Sequence, residues 1–165
     1  MIKYILQFSL SLSLFLFSTF AGAQTKIDSL KNVLAHVRSD SARAGLFNEI
    51  SKQLWQSGDY DESLKYANDA LRLSVSSKLL KEELYALNNL GTVYRHRAQN
   101  DSALALFTRM LGKAEKENDR EVMAMAHGNI GLVYTDITDY PRALEELLKA
   151  LAIAEQTGDK KRISL

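Results

Sequence analysis

The sequence predicts an all-α solenoid in which antiparallel helix hairpins follow one another at a period of about 40 residues. The first observation behind this prediction is self-similarity, because the stretches 47–54, 87–94 and 127–134 carry related residues at matching offsets. The second is the spacing of apolar residues at three and four positions, which places them on one face of a helix. No alternating strand pattern competes with that spacing.

Each stretch repeats a motif of four positions. They are filled by Leu87, Leu90, Gly91 and Tyr94 in the second stretch, by His127, Ile130, Gly131 and Tyr134 in the third, and in degenerate form by Phe47, Ile50, Ser51 and Leu54 in the first. A Gly inside a helix costs about 1 kcal/mol relative to Ala, so it is expected where a partner helix must approach closely. Gly91 and Gly131 are therefore predicted contact points, with Ser51 as the smallest substitute.

A second stripe follows each motif, on the helix that would complete the hairpin. In each stripe a small residue is followed four positions later by an apolar packing residue. The pairs are Ser63 and Ala67, Ala103 and Phe107, and Ala143 and Leu147, and each pair is followed three positions later by Ala70, Met110 or Ala150. We predict six long helices, near 41–56, 61–76, 78–97, 101–117, 120–138 and 141–156. A short helix near 27–38 is expected to precede them, with an apolar face of Leu30, Val33, Leu34 and Val37.

This pattern resembles the tetratricopeptide repeat family, whose signature W-x2-L-G-x2-Y has the offsets of Leu87, Leu90, Gly91 and Tyr94. The resemblance covers about residues 41–158 and implies a solenoid of three repeats, at about 41–78, 79–118 and 119–158, after a capping helix at 24–40. The period exceeds the usual 34 residues, and the Pro that ends many family repeats is missing. Helices extended by under a turn would explain both departures. Such long repeats are similar to the amino-terminal arrays of bacterial sensor histidine kinases.

The two ends of the chain carry further expectations. Lys3, the apolar stretch 5–20 and the small residues 21–23 have the order of a secretory signal peptide, so we expect export to the periplasm or another extracytoplasmic location. Residues 159–165 match the start of a further repeat. The last complete helix would leave Leu147, Leu148, Leu151 and Ile153 uncovered, so we expect a fragment or early-terminated product that self-associates through this helix.

Composition and motifs argue against several functions. Loss of Lys3 from the 21 basic residues leaves them equal in number to the 20 acidic ones, and mixed charges offer no footprint for nucleic acid. The chain has no Cys, which excludes a Cys-linked lipid anchor. It also lacks nucleophile, phosphate-loop and zinc-binding motifs, and its three His residues lack metal-ligand spacing. We expect no catalytic residue, cofactor or metal in this chain, while any activity of a longer protein stays open.

The adjacent carboxylates and His127 are interpreted as structural residues and not as functional ones. The carboxylate pairs Glu82–Glu83 and Glu145–Glu146 are adjacent, so their side chains point about 100° apart on a helix and cannot flank one bond. We expect both pairs to be solvated. His127 fills the slot of Trp in the family signature, which predicts a packing role.

The resemblance also implies where a partner would bind. In the family, the first helix of each hairpin lines a concave surface, and the residues between its packing positions meet the ligand. The candidates here are Asn48, Lys52 and Trp55, then Asn88, Thr92, Arg95 and His96, then Asn129, Leu132, Thr135 and Asp136. Asn and Arg can hydrogen-bond a peptide backbone or a carboxylate. In the alternative interpretation, Asn89 and Asn129 bond the ends of neighbouring helices, and Trp55 packs between helices.

Two functions remain open at this point. The first is a non-catalytic, exported interaction module that binds a peptide or protein in its groove, without nucleic acid. The second is the amino-terminal extracytoplasmic sensory region of a longer signal-transduction protein, such as a histidine kinase, a nucleotide cyclase or a transcriptional regulator. Membrane attachment would then come from a downstream segment, and a second apolar stretch of about 20 residues would favour this function.

Overall fold

The computed structural model describes residues 24–158, and every regular element in that range is an α-helix. The first helix, α1, covers residues 24–36. The others are α2 (Asp40–Gln56), α3 (Tyr60–Ser76), α4 (Leu80–His96), α5 (Asn100–Lys116), α6 (Arg120–Asp136) and α7 (Tyr140–Thr157). The predicted all-α solenoid is confirmed. The proposed leader at 1–23 and further repeat at 159–165 lie outside the described residues.

The period of the solenoid follows from its element lengths. Helices α2 to α6 have 17 residues each, and three residues separate each helix from the next. One helix and one connection therefore repeat as a unit, and two units make a hairpin of the predicted period. Consecutive helices pack on each other, and α2 also contacts α4 as α4 contacts α6. The first helices of the hairpins thus line up side by side.

The five connections between α2 and α7 use the same turn. Their middle residues all have positive φ, namely Gly58, Lys78, Ala98, Asn118 and Thr138. In each turn the following residue donates its N–H to a carbonyl five positions back, as in Asp59 N to Leu54 O at 2.9 Å and Asp139 N to Tyr134 O at 2.8 Å. This Schellman arrangement satisfies carbonyls that the helix end would leave unpaired.

The turns correct two predicted boundaries. The helix predicted to begin at Lys78 begins at Leu80, and the one predicted to run to Thr138 ends at Asp136. Both residues occupy the left-handed link between helices, although neither is the Gly that this conformation favours. Two helix starts carry the local signals that are typical of helix N-termini. Asp59 accepts a hydrogen bond from Glu62 N at 3.0 Å, and Pro141 lies in the first turn of α7.

Close approach of the two helices of a hairpin is confirmed at both predicted glycines. A Cβ added to Gly91 would lie 2.6 Å from Phe107 Cε1, and one added to Gly131 would lie 2.8 Å from Leu147 Cγ. In the first hairpin the fully buried Ser51 takes this place, and Ser63 Oγ donates to its carbonyl at 2.8 Å. The large Phe and Leu thus fill the space that the glycines leave.

The hydrophobic core has two described clusters. The larger joins α4, α5 and α6 through Leu84, Leu87, Ala103, Phe107, Met110, Ala114, Val122, Ala126, Ile130 and Val133. The smaller joins α1 to the first hairpin through Ile27, Ile50 and Leu54, with Leu30 and Leu34 packed against it. The apolar face predicted for α1 was therefore partly wrong. Val33 is 48% exposed, whereas Ile27 is buried, because residues 27, 30 and 34 share one helical stripe.

The prediction that both carboxylate pairs are solvated was wrong for one member of each. Glu83 is buried and accepts from Arg109 Nη2 at 2.9 Å, with Lys113 Nζ at 3.2 Å. Glu83 and Glu146 each point toward the neighbouring helix, where they meet basic side chains or the His127 ring. The position of each beside another Glu in the sequence does not reveal this contact. Their partners Glu82 and Glu145 are more exposed.

Glu146 forms the second of these inward contacts. Its Oε2 lies 2.7 Å from His127 Nδ1, and its Oε1 accepts from Lys149 Nζ at 2.8 Å. Burial by itself would raise the pKa of the Glu146 carboxyl, but the hydrogen bonds from Lys149 and His127 outweigh it and lower that pKa. The carboxylate thus stabilises the fold above the ordinary Glu pKa of about 4.3, and this contribution is lost as the pH falls through the lowered value.

The outer side of α7 exposes an apolar stripe that differs from the predicted one. Tyr140, Leu144 and Leu148 are 64%, 60% and 54% exposed, and their spacing of four places them on one helix face. Leu147, by contrast, packs against Gly131. The equivalent of Leu144 one period earlier, Leu104, is packed against the larger core cluster. The stripe therefore has the position of a helix-packing surface.

The close contact at Gly91 predicts that a Gly→Ala substitution lowers stability there but raises it at a helical glycine with open space around it. Gly91→Ala should lower the free energy of unfolding by about 1 to 3 kcal/mol, because the fully buried Phe107 ring cannot move away from the added methyl group. Gly112→Ala is the control, since no atom lies within 4 Å of its added Cβ. It should raise stability by up to about 1 kcal/mol through helix propensity. Urea unfolding of both variants measures the difference, and equal stability would contradict the contact.

The left-handed turns predict that an Ala→Gly substitution raises stability in a turn but lowers it within a helix. Ala98→Gly should raise the free energy of unfolding by about 0.5 to 1 kcal/mol, because it relieves the cost of a positive φ of 57°. The exposed helical residue Ala152 is the matched control, and Ala152→Gly should lower stability by about 1 kcal/mol. Thermal unfolding distinguishes the two, and a lower melting temperature for Ala98→Gly would contradict this account of the turns.

Candidate functional site

Helix α2 contacts α4, and α4 contacts α6, whereas within residues 24–158 α3, α5 and α7 make no such contacts with one another. The first helices of the three hairpins are therefore the closer-packed row, and they form the concave face of the solenoid. A pocket of about 410 Å³ opens on this face, mainly between α2 and α4. It is lined by Gly45, Asn48, Glu49, Lys52, Trp55, Lys81, Glu82, Tyr85, Asn88, Asn89 and Met125. Four predicted candidates therefore share it, namely Asn48, Lys52, Trp55 and Asn88.

The pocket owes its shape to three equivalent positions that the sequence analysis missed. Gly45, Tyr85 and Met125 stand at the same place in α2, α4 and α6, one period apart, and all three line the pocket. No atom lies within 4 Å of a Cβ added to Gly45. The glycine therefore leaves open the space beside the two large side chains. Aligning the repeats at this position, one helical turn before the candidates Asn48 and Asn88, would have identified it.

A ladder of Asn side chains links the three first helices. Asn48 Nδ2 donates to Glu82 O at 2.8 Å, and the buried Asn89 donates from Nδ2 to Asn48 O at 2.9 Å. One period later, Asn129 Nδ2 donates to Asn88 Oδ1 at 2.7 Å. The alternative interpretation of Asn89 and Asn129 is therefore correct in that they bond the neighbouring helix, although within its length and not at its end. Asn48 serves the same role.

Asn88 has a different place in this ladder. Its Oδ1 accepts from Asn129, and the two N–H donors of its amide have no partner among the described residues. The bond orients the amide with its oxygen toward α6. Of the predicted Asn candidates that line the pocket, Asn88 is thus the one whose side-chain donors stay available to a ligand.

The charges at the pocket are not equally engaged. Glu49 Oε1 accepts from Gln53 Nε2 at 2.9 Å and pairs with Lys26 Nζ at 3.2 Å. Glu82 accepts from Ser41 Oγ at 3.3 Å. Within residues 24–158, no carboxylate pairs with either pocket lysine, and both lysines are exposed. Lys52 on α2, Lys81 on α4 and Glu82 thus line the pocket without an ion-pair partner among the described residues.

Trp55, which lines the pocket, belongs to an aromatic stack. The rings of Trp55 and His96 lie 5.7 Å apart between centroids at an interplanar angle of 25°, and His96 stacks on Tyr60 at 5.6 Å and 11°. Both interpretations of Trp55 hold in part, since its ring packs between α2 and α4 and also lines the pocket. Its indole N–H is buried without a hydrogen-bond acceptor, an arrangement that costs about 1 to 3 kcal/mol in proteins.

The remaining candidates lie on the concave face without lining the pocket. Arg95 Nε pairs with Asp136 Oδ2 at 2.9 Å, so these two bridge α4 and α6. Thr135 Oγ1 donates to Gly131 O at 3.0 Å within its own helix. Leu132 is 38% exposed. Thr92 lies one position after the contact glycine Gly91 and is half-buried.

The lining of the pocket includes two aromatic rings, a Met, amides and charges of both signs. Among the described residues, no group of three or more His, Cys, Asp or Glu side chains could hold a metal ion. No helix within residues 24–158 has the length and apolar character of a membrane span.

Comparison with known proteins places this geometry in a family. Residues 43–116 match a family model described as tetratricopeptide repeat, and residues 126–161 match a second model of the same description. The response regulator aspartate phosphatase I of Bacillus subtilis (strain 168) is 27% identical in an alignment of 131 residues that covers 75% of this chain and 32% of that protein. The chain thus spans about a third of the length of this curated relative.

Solved structures share the fold. Aspartyl phosphate phosphatase F from Bacillus subtilis superposes with a TM-score of 0.74 at 19% identity, over 84% of this chain and 40% of that one. The tetratricopeptide domain of Arabidopsis FLU gives a TM-score of 0.66 at 19% identity, over 72% of this chain and 99% of that one. At these identities the likeness concerns the fold alone. The repeat register, the hairpin geometry and the two family matches show that this chain belongs to the tetratricopeptide repeat family.

Proposed function

We propose that this chain binds a segment of a partner polypeptide in the pocket between α2 and α4. The tetratricopeptide fold is a protein-interaction scaffold, and the observation that carries the specific proposal is the pocket itself. It combines apolar walls, from Tyr85 and Met125, with polar groups that have no partner within the described chain. Such a combination is typical of recognition sites, where a few polar groups orient a ligand that apolar surface retains.

The rigidity of the pocket supports the same proposal. Its walls belong to helices held by the Asn ladder and by the stack of Trp55 on His96, so little ordering is needed when a ligand enters. Binding to such a preorganised surface loses less conformational entropy than binding to a mobile loop. An extended peptide segment is the ligand class that matches a pocket lying across parallel helices.

The proposed setting is extracytoplasmic. This part of the proposal rests on the order of charged, apolar and small residues at 1–23, which is that of a signal peptide. The pocket residues themselves are compatible with any aqueous compartment, since none is a Cys.

A signalling role is the second candidate function. The observation that favours it is the relative named response regulator aspartate phosphatase I, a name that places that protein in signal transduction. Because the chain spans about a third of that relative, we propose only that this region would serve as the partner-binding input of a longer signal-transduction protein. Export to the extracytoplasmic side would make it a sensory input, and a downstream membrane span and output domain would distinguish it from a free adaptor.

Pocket binding is tested most directly by filling the pocket. Gly45→Leu places a side chain in open space at the pocket and removes a helix-interior Gly, so it should be at least as stable as the parent chain. Peptides selected on the parent chain from a phage-displayed random library should bind this variant at least tenfold more weakly, as measured by fluorescence anisotropy.

Gly112→Leu is the matched control for that experiment. Gly112 lies on α5, also has open space around an added Cβ, and does not line the pocket. Selected peptides should bind it as they bind the parent chain. Equal binding to both variants, or failure to select any peptide, would contradict the pocket as the binding site.

The exposed stripe on α7 leads to a proposal of self-association. We expect the chain to form dimers at high concentration, because Leu144 and Leu148 would be removed from water in such a contact. Leu144→Glu should shift the chain toward monomer in sedimentation velocity experiments. Val75→Glu is the control, since Val75 is 50% exposed but lies on α3. A monomeric parent chain at all concentrations, or equal effects of both variants, would contradict the proposal.

A further inference from the structure

The two hydrophobic clusters share no member, and they divide the described chain between them. The larger joins α4, α5 and α6, and the partly buried Leu71 of α3 packs against it. The smaller lies in α1, α2 and α3, and it consists of Ile27, Ile50 and Leu54, with Leu30, Leu34 and Tyr66 packed against them. The amino-terminal unit, residues 24–76, thus has an apolar cluster of its own.

The interior of the first hairpin is built from smaller side chains than that of the second. The buried residues of α3 are Ser63, Ala67, Ala70 and Ser74, whereas those one period later in α5 are Ala103, Phe107, Met110 and Ala114. Phe107 and Met110 therefore have only Ala counterparts in the first hairpin. Because the free energy of folding follows the apolar surface removed from water, the first hairpin gains less from its own packing.

Polar contacts take the place of this apolar packing, both inside the first hairpin and at its boundary with α4. The fully buried Ser63 donates from Oγ to Ser51 O at 2.8 Å. At the boundary, Asn48 donates to Glu82 O at 2.8 Å, and Asn89 donates to Asn48 O at 2.9 Å. Such groups bond to water when the helices separate, so these contacts add less net free energy than their strength in the folded chain suggests.

We infer that the amino-terminal unit opens from α4 while α4, α5 and α6 stay folded, and that the pocket exists only when this unit is docked. Regions with few buried apolar contacts open at a lower free energy than the core of the same protein. The pocket spans the boundary, since Asn48 and Trp55 belong to α2 and Tyr85 and Asn88 to α4. Docking of the amino-terminal unit therefore controls whether the pocket is formed. This inference goes beyond the proposed function, because it requires no ligand.

Urea unfolding followed by two signals tests whether the unit opens separately. Trp55 is the single Trp of the chain, and its ring lies 5.7 Å from the His96 ring of α4, so its fluorescence reports on docking. Far-UV circular dichroism reports on all helices. The fluorescence transition should come at a lower urea concentration, and the dichroism should lose only part of its amplitude there.

Native-state hydrogen exchange assigns the opening to particular helices. Under conditions where exchange reports on the opening equilibrium, amides in α2 and α3 should exchange at least tenfold faster than those in α4, α5 and α6. The physical reason is that the amino-terminal unit opens without unfolding of the larger cluster.

Two conservative variants separate this opening from global unfolding. Val133→Ala removes buried methyl groups from the larger cluster, so it should speed exchange in α4, α5 and α6 by at least threefold. It should leave the rates in α2 and α3 within about 1.5-fold of the parent values, because Val133 stays buried while the unit opens. Ile50→Val is the matched variant in the smaller cluster. It should speed exchange in α2 to α6 alike, because global unfolding also exposes Ile50.

A single cooperative unit would give different results in each experiment and would overturn the inference. Fluorescence and dichroism would then change together in urea, and α2 to α6 would be equally protected from exchange. Val133→Ala would also speed exchange in all five of these helices equally. None of these measurements uses a ligand, so failure of this inference is distinguishable from failure of pocket binding.

Discussion

Close contact between the two helices of each hairpin is the constraint on which the rest of this structure depends. At Gly91 and Gly131 the missing side chain admits Phe107 and Leu147 from the partner helix. In the first hairpin the sizes change, since Ser51 replaces the Gly and Ala67 stands where Phe107 stands in the second. The first hairpin therefore has two small residues at these positions, and a hydrogen bond from Ser63 Oγ to Ser51 O links its helices. The identical turns then repeat this geometry along the chain.

Regular stacking of hairpins produces the pocket. Because α2, α4 and α6 lie side by side, residues one period apart along the chain become neighbours in space. Gly45, Tyr85 and Met125 thereby form one wall, and their different sizes create a pocket where three equal side chains would make a flat surface. Variation at equivalent positions of a regular scaffold is thus sufficient to make a shaped site.

Polar side chains divide between those that hold the helices together and those that have no partner in the described chain. The amides of Asn48, Asn89 and Asn129 are used between helices, and the pair of Arg95 with Asp136 adds a further bridge. Buried polar groups need partners, so these residues secure the register of the first helices. Lys52 and Lys81 lack such partners within the described chain, so they take no part in holding the helices together.

Most of the fold was predictable from the chain alone, because its signals are local and repeated. The period, the six long helices and the contact glycines follow from apolar spacing and from recurrence in register, and a helix face is determined by neighbours three and four residues apart. Other features depend on which helix lies opposite. These are the inward turn of Glu83 and Glu146, the exposure of Val33, and the left-handed conformation of Ala98 and Thr138. The composition of the pocket also depends on how the helices pack. Four of the predicted groove residues line the pocket, whereas Arg95 and Asp136 bind each other. Period and amphipathicity are properties of one helix, whereas pairing, burial and unpaired donors arise only when several helices meet.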